Sequence, residues 1–230
     1  MTHVARIAIQ GNPNVGLFVY ATDKFALVGK SATEQDIENI KTTLNVPVHA
    51  VTIAGTNLAG IFLTGNSKFL LMPNICYDHE VSVVKQICAK YDTEVIVVDT
   101  KFTALANNLT LTDTILLANK DVEERVLKDL QKEMKLTTVE RIVVADTDVV
   151  GATMVFTNKG GLVHPDIANE TIEELESILG IKFTLGTVNY GSPYVKSGVV
   201  ANNHGFLIGK TSSGPEVTNA DEALGFVDNE

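Results

Sequence analysis

The sequence predicts an α/β protein in which five ββαβ-like modules close into a ring with five-fold pseudosymmetry. Three observations predict it. A strand-like run followed by a loop recurs at RIAIQ, HAVTIAG, EVIVVD, RIVVAD and FTLGTVN, with close to 45 residues between copies. Each copy leads into two more strand-like runs joined by a polar turn, and a segment with helical spacing of apolar residues follows. A unit this small cannot bury its apolar face alone, so neighbours must cover one another and the last must cover the edge of the first. All-strand blades and helix-pair repeats both lack this alternation. One domain is expected over residues 1–230, with modules at roughly 1–45, 46–92, 93–135, 136–180 and 181–226 and a short C-terminal end at 227–230.

After the first strand of each unit come the loops GNPNVG, GTNLAG, TKFTALAN, TDTDVVG and YGSPYVKSG, in which Gly16, Gly60, Asn107, Gly151 and Gly198 mark equivalent or nearly equivalent places. The second and third strands follow as LFVYATDKFALVG, IFLTGNSKFLLMP, NLTLTDTILLAN, ATMVFTNKGGLVHP and VVANNHGFLIG. Their turns, such as Thr22-Asp23-Lys24, Gly65-Asn66-Ser67 and Asn202-Asn203-His204-Gly205, supply residues that tolerate positive φ. Helix starts are expected where Ser31 precedes Glu34, Asp121 precedes Glu124 and Thr171 precedes Glu174, the spacing of a capping box. In the third unit Val122, Val126, Leu127, Leu130 and Met134 make one apolar face. The fifth helix, near Thr218 to Phe226, is the shortest.

The opening loop also tests a nucleotide reading. GNPNVG would begin a phosphate-binding loop if Lys and Ser or Thr followed, but Leu17 and Phe18 stand there and LFVYA reads as strand rather than helix. Its glycine instead allows a tight backbone path between strands.

Hydrophobic residues make up 45% of the chain, enough for a sizeable core. No apolar run is long enough to span a bilayer and the N-terminus has no signal-peptide pattern, so a soluble cytoplasmic protein is expected, without membrane contact. The formal charge of −10 comes from 28 acidic and 18 basic residues with no basic cluster. Gripping DNA or RNA alone needs a basic face, whereas an acidic protein suits a basic protein partner. Cys76 and Cys88 form no C-x-x-C pair and read as small hydrophobes on an amphipathic helix. Asp146 and Asp148 read as a solvated turn rather than a metal pair, and the scattered histidines, including His164, as structural. No cofactor or metal is expected.

HAVTIAG (49–55), GNSKFLLMPN (65–74), TALAN (103–107), NKGGLVHP (158–165) and GTVNYGS (186–192) together resemble the translation initiation factor 6 family of archaea and eukaryotes. The likeness runs from about residue 4 to residue 226, and the end at Glu230, without the tail of eukaryotic members, makes it a likeness to archaeal ones. The resemblance implies the pentein fold, a β/α propeller of five ββαβ modules. It also implies a ribosome anti-association factor that binds the large ribosomal subunit, through ribosomal proteins near the sarcin-ricin loop and adjacent rRNA, and blocks the small subunit. A role in large-subunit biogenesis and a monomeric state go with it. The rival class is the guanidine-modifying pentein enzymes, which carry a Cys nucleophile in the last module; residues 181–230 hold no cysteine.

Binding is expected at the loops Asn12–Gly16, Thr56–Gly60, Leu105–Asn107, Asp148–Gly151 and Asn189–Ser192. The candidate contact residues are Asn12, Asn14, Gly16, Asn57, Leu58, Leu105, Asn107, Val149, Gly151, Asn189, Tyr190 and Ser192, with Asn107 foremost because it closes the TALAN segment.

Overall fold

Five three-stranded sheets repeat one plan in this computed structural model, which describes residues 3–227. The C-terminal end expected at 227–230 therefore lies, past Val227, outside the described residues. In the first sheet β2 (Val19–Ala21) and β3 (Ala26–Gly29) form a hairpin, α1 (Glu34–Leu44) crosses over, and β4 (Val48–Val51) pairs parallel to β3. The second has β5 (Thr64–Gly65), β6 (Phe69–Pro73), α3 (Asp78–Cys88) and β7 (Glu94–Val98). The third has β8 (Leu109–Leu111), β9 (Ile115–Ala118), α5 (Glu124–Met134) and β10 (Thr138–Arg141). The fourth has β11 (Met154–Phe156), β12 (Gly161–Val163), α6 (Asn169–Leu179) and β13 (Phe183–Leu185).

In the fifth sheet β14 (Val199–Asn202) and β15 (Gly205–Gly209) precede α8 (Gly214–Ala223), and the third strand comes from the other end of the chain. β1 (Val4–Ile7) pairs parallel to β15, Val4 against Phe206 through Ile7 against Gly209. The last module thus covers the edge of the first, and the ring is closed by hydrogen bonds rather than by a covalent link.

Each hydrophobic cluster draws on two neighbouring modules. Ile7, Ile9, Val200 and Leu207 pack with Val19, Val28, Ile40 and Leu44, while Leu71, Ile96 and Val98 pack with Leu109, Leu116 and the inner face of α5. That face is the predicted one: Val126, Leu127, Leu130 and Met134 of α5 are buried, as is Val122 just before the helix. A module taken alone would leave apolar residues of its core exposed.

Between the loops and the inner strands lies a further element, which spans the boundary between the predicted loops and the predicted second strands. The segments 15–17 and 150–152, with α2 (Ala59–Phe62), α4 (Leu105–Asn108) and α7 (Val195–Gly198), are single helical turns. They touch in cyclic order around the axis. Four residues are too few for periodicity to declare a helix, and Leu17, Ile61 and Phe62 look strand-like because they are apolar.

The close contacts of these turns set the true register of the repeat. A Cβ on Gly16 would lie 1.8 Å from the Lys196 carbonyl oxygen, one on Gly60 2.0 Å from that of Gly16, and one on Gly151 2.1 Å from that of Ala106. The matching positions are therefore Gly16, Gly60, Ala106, Gly151 and Lys196. Asn107 and Gly198 sit one and two residues past them, so they are nearly equivalent places and not equivalent ones. Gly16 is required for close approach, not for turning the chain. The turn glycine of that loop is Gly11, at φ +76°.

Helix caps also differ from expectation. α1 is capped by Thr33 with Asp36, and α8 by Ser213 with Glu216, while α5 and α6 begin after Glu123 and Ala168 with no side-chain cap. The S/T/D-x-x-E spacing recurs wherever polar residues are dense, so it finds the neighbourhood of a start better than the start. α8 begins four residues before Thr218, where Pro215 suits the first turn.

Candidate functional site

The strand registers put the hairpin turns at one end of the ring and the loops after the first strands at the other. At the loop end, four of the five loops are the same device. Ile9 bridges Asn12, Ile53 bridges Thr56, Val144 bridges Thr147 and Val188 bridges Ser192. The residues between them are left-handed: Gln10 and Gly11, Ala54 and Gly55, Ala145 and Asp146, and Asn189, Tyr190 and Gly191. Consecutive positive φ values make the tight reversal of a primed turn, which needs little side chain and tolerates Gly and Asn best.

Carboxylates at the helix starts hold these backbones. Glu80, almost fully buried, accepts from the N–H groups of Gly55 at 2.9 Å and Tyr77 at 3.1 Å. Glu216 accepts from Gly191 N–H at 2.8 Å, Tyr190 N–H at 3.2 Å and the Thr187 hydroxyl at 2.9 Å. Glu123 does the same for Thr100 and Lys101 in the third loop. Burial by itself would raise the pKa of all three, but the donated hydrogen bonds outweigh it and leave each below the ordinary glutamate value.

The fifth and first loops are joined directly. The Asn189 amide donates to the Pro13 carbonyl at 3.1 Å and to Asn14 Oδ1 at 3.2 Å, and Asn14 also accepts from the Ser197 hydroxyl at 3.3 Å. Thr211 donates to Asn189 Oδ1 at 2.9 Å. Asn12 Oδ1 accepts from Asn14 N–H at 2.9 Å, bracing the same loop from within.

The expected contact residues therefore separate into framework and surface. Gly16, Leu105 and Gly151 are buried in the inner ring, where no partner can touch them, so their place among the contacts is corrected. Asn57 and Leu58 are part-buried; the carbonyl of Asn57 lies against Gly29 and Leu58 packs on the first core. Asn107 and Val149 are part-buried at the helical turns, and Ser192 closes the fifth-loop bridge. Tyr190 is different: 80% exposed at φ +62°, a conformation unfavourable for an aromatic residue. Tyr77, missed in the sequence, is 57% exposed with its ring against Gly55 of the second loop and stacked on His79. Its only sequence signal was an aromatic residue in the polar segment before a helix.

The remaining chemistry-bearing side chains are tied into the fold. Burial pushes both thiols up to about 11; Cys88 ends α3 as expected of a helical residue, whereas Cys76 lies two residues before the helix and not on it. Asp148 pairs with Lys120 at 2.9 Å. His164 is buried, its Nδ1 accepting from Asp166 N–H at 3.1 Å. Among the described residues no helix is long and apolar enough to cross a membrane.

A family model described as the eIF-6 family matches residues 4–223. The chain belongs to that family. Translation initiation factor 6 of Pyrococcus horikoshii is 35% identical over 98% of this chain and 100% of its own length. The Staphylothermus marinus protein of the same name is 33% identical over 93% and 94%. Family membership makes the chain a translation initiation factor, a non-enzymatic role, and sets aside the guanidine-modifying alternative. Among solved structures, the N-terminal domain of ArgZ, a cyanobacterial arginine dihydrolase, aligns with a TM-score of 0.48 at 11% identity, covering 80% of this chain and 69% of that one. Agmatine deiminase from C. jejuni aligns at 0.44 and 13%, covering 70% and 59%.

Proposed function

We propose that this protein is a ribosome anti-association factor that binds the large ribosomal subunit and occludes the surface where the small subunit docks. The observation that carries the reading is Tyr190, held 80% exposed on left-handed backbone by Glu216 at the tip of a cross-braced loop. Backbone strain spent on presenting an aromatic ring to solvent fits a binding anchor, since exposed Tyr on rigid backbone loses little entropy on docking. Asn14, Asn107, Asn189 and Tyr77 surround or extend this end. The charge of −10 favours basic ribosomal proteins over rRNA as the main contact. Occlusion needs bulk and a rigid face, not bond chemistry. The factor acts as a cytoplasmic monomer, and the same docking would serve large-subunit biogenesis.

Sedimentation of purified archaeal subunits through sucrose gradients tests this directly. Co-migration with the large subunit alone and loss of the joined-ribosome peak is the expected result. Unchanged joining with the protein left at the top of the gradient would reject it.

A further inference from the structure

The five-fold repeat is broken at one place on the axis. Where the other modules put Gly16, Gly60, Ala106 and Gly151, the fifth puts Lys196. Its ammonium donates to the Ala106 carbonyl at 3.3 Å. An ammonium has three donors, and among the described residues no carboxylate pairs with this one.

Lys196 lines a cavity of about 150 Å³ between the inner turns and strands, together with Tyr20 and Thr110 from two other modules. Lys196 is part-buried. Tyr20 and Thr110 are 9% and 7% exposed, and their hydroxyl oxygens are buried without a hydrogen-bond partner among the described residues. A part-buried cation without counter-charge and two buried hydroxyls without partners are each costly, and they share one cavity. All three can donate, which is the complement of an anion. Burial pushes the Lys196 pKa down to about 8, so the amine remains largely charged at neutral pH.

The cavity also has a way in. A wider funnel of about 760 Å³, lined by the hairpin turns, shares Ala21, Gly65, Leu111, Phe156 and Ala201 with it. The funnel opens at the end opposite Tyr190, so a bound solute would not compete with docking there.

We propose that the axial cavity binds one small inorganic anion, of chloride to phosphate size, through the Lys196 ammonium and the hydroxyls of Tyr20 and Thr110. The site is independent of the ribosomal reading. An anion there would neutralise the buried charge and lock three modules together across the axis.

The test is thermal unfolding of the whole protein at pH 7 in gluconate buffer, with sodium phosphate or sodium chloride titrated in at constant ionic strength. A saturable rise in Tm with either anion, of about 5–10 °C at a hundred times Kd, is expected for the unaltered protein. Lys196→Met should be more stable than the unaltered protein in gluconate and should lose the rise. Tyr20→Phe and Thr110→Val, which remove only a hydroxyl or its equivalent, should move half-saturation to about tenfold higher anion. These two keep the test alive if Lys196→Met does not fold. An absent shift, or a non-saturating shift equal in all variants, would overturn the proposal and leave a cavity filled by water.

Discussion

Tyr190 and Glu216 form a pair in which one side chain presents and the other holds. Tyr190→Ala should weaken large-subunit binding roughly tenfold or more while leaving Tm within a degree or two, because an exposed side chain contributes to docking but little to folding. Tyr190→Gly should lose the same affinity and gain up to about 1 kcal/mol of stability, since glycine adopts φ +62° without strain. Calorimetry with gradient binding separates the two effects. Removing the Glu216 carboxylate, as in Glu216→Ala, should cost about 1–3 kcal/mol by orphaning the N–H groups of Tyr190 and Gly191. Its folded-state pKa lies below the unfolded value, so its contribution is complete above about pH 4.3 and disappears as pH falls through the lower value. Unfolding followed from pH 6 to pH 3 should therefore show a shallower loss in Glu216→Gln. The sequence named Tyr190 through its loop, but nothing in it set Tyr190 apart from Asn189 or Ser192; only backbone dihedrals and exposure do that.

The elements divide by length in how readily they were read. An eleven-residue helix such as α5 spans three turns, so its apolar residues declare both period and inward face. Leu127→Ala there should cost about 2–5 kcal/mol in denaturant unfolding, the usual loss for a buried leucine. A four-residue turn such as α2 declares neither, and its role depends on what lies across the axis. Gly60→Ala would drive a methyl into the Gly16 carbonyl, a backbone atom that cannot rotate away, and should cost at least about 1–3 kcal/mol. The same change at Gly214, which has open space around it, should be mild by comparison.

At the scale of the whole molecule, stability depends on β1 closing the fifth sheet. Phe206 N–H donates to the His3 carbonyl and Lys210 N–H to that of Ile7, and Phe206, Leu207 and Ile208 are fully buried. Deleting residues 1–7 would leave β15 as a long apolar edge, so the truncated chain should self-associate in light scattering where the full chain does not. Inter-module bonds at matching hairpin turns, Ser67 to Asp113 and Asn203 to Asp23, brace the other end. A rigid ring of this kind suits the steric occlusion proposed above.

The sequence alone determined the five-fold repeat, its ββαβ order and the family, because strand and helix periodicities are local and recur at a constant interval. Tertiary structure decided the register at the axis, where Gly60 and Gly151 answer to carbonyls about 45 residues away and Gly16 to that of Lys196 in the last module. It also decided which loop residues are framework and which are surface, and that Lys196, with no carboxylate partner among the described residues, lines one cavity with the hydroxyls of Tyr20 and Thr110. Those facts are distances between modules, and no window of sequence contains both partners of any of them.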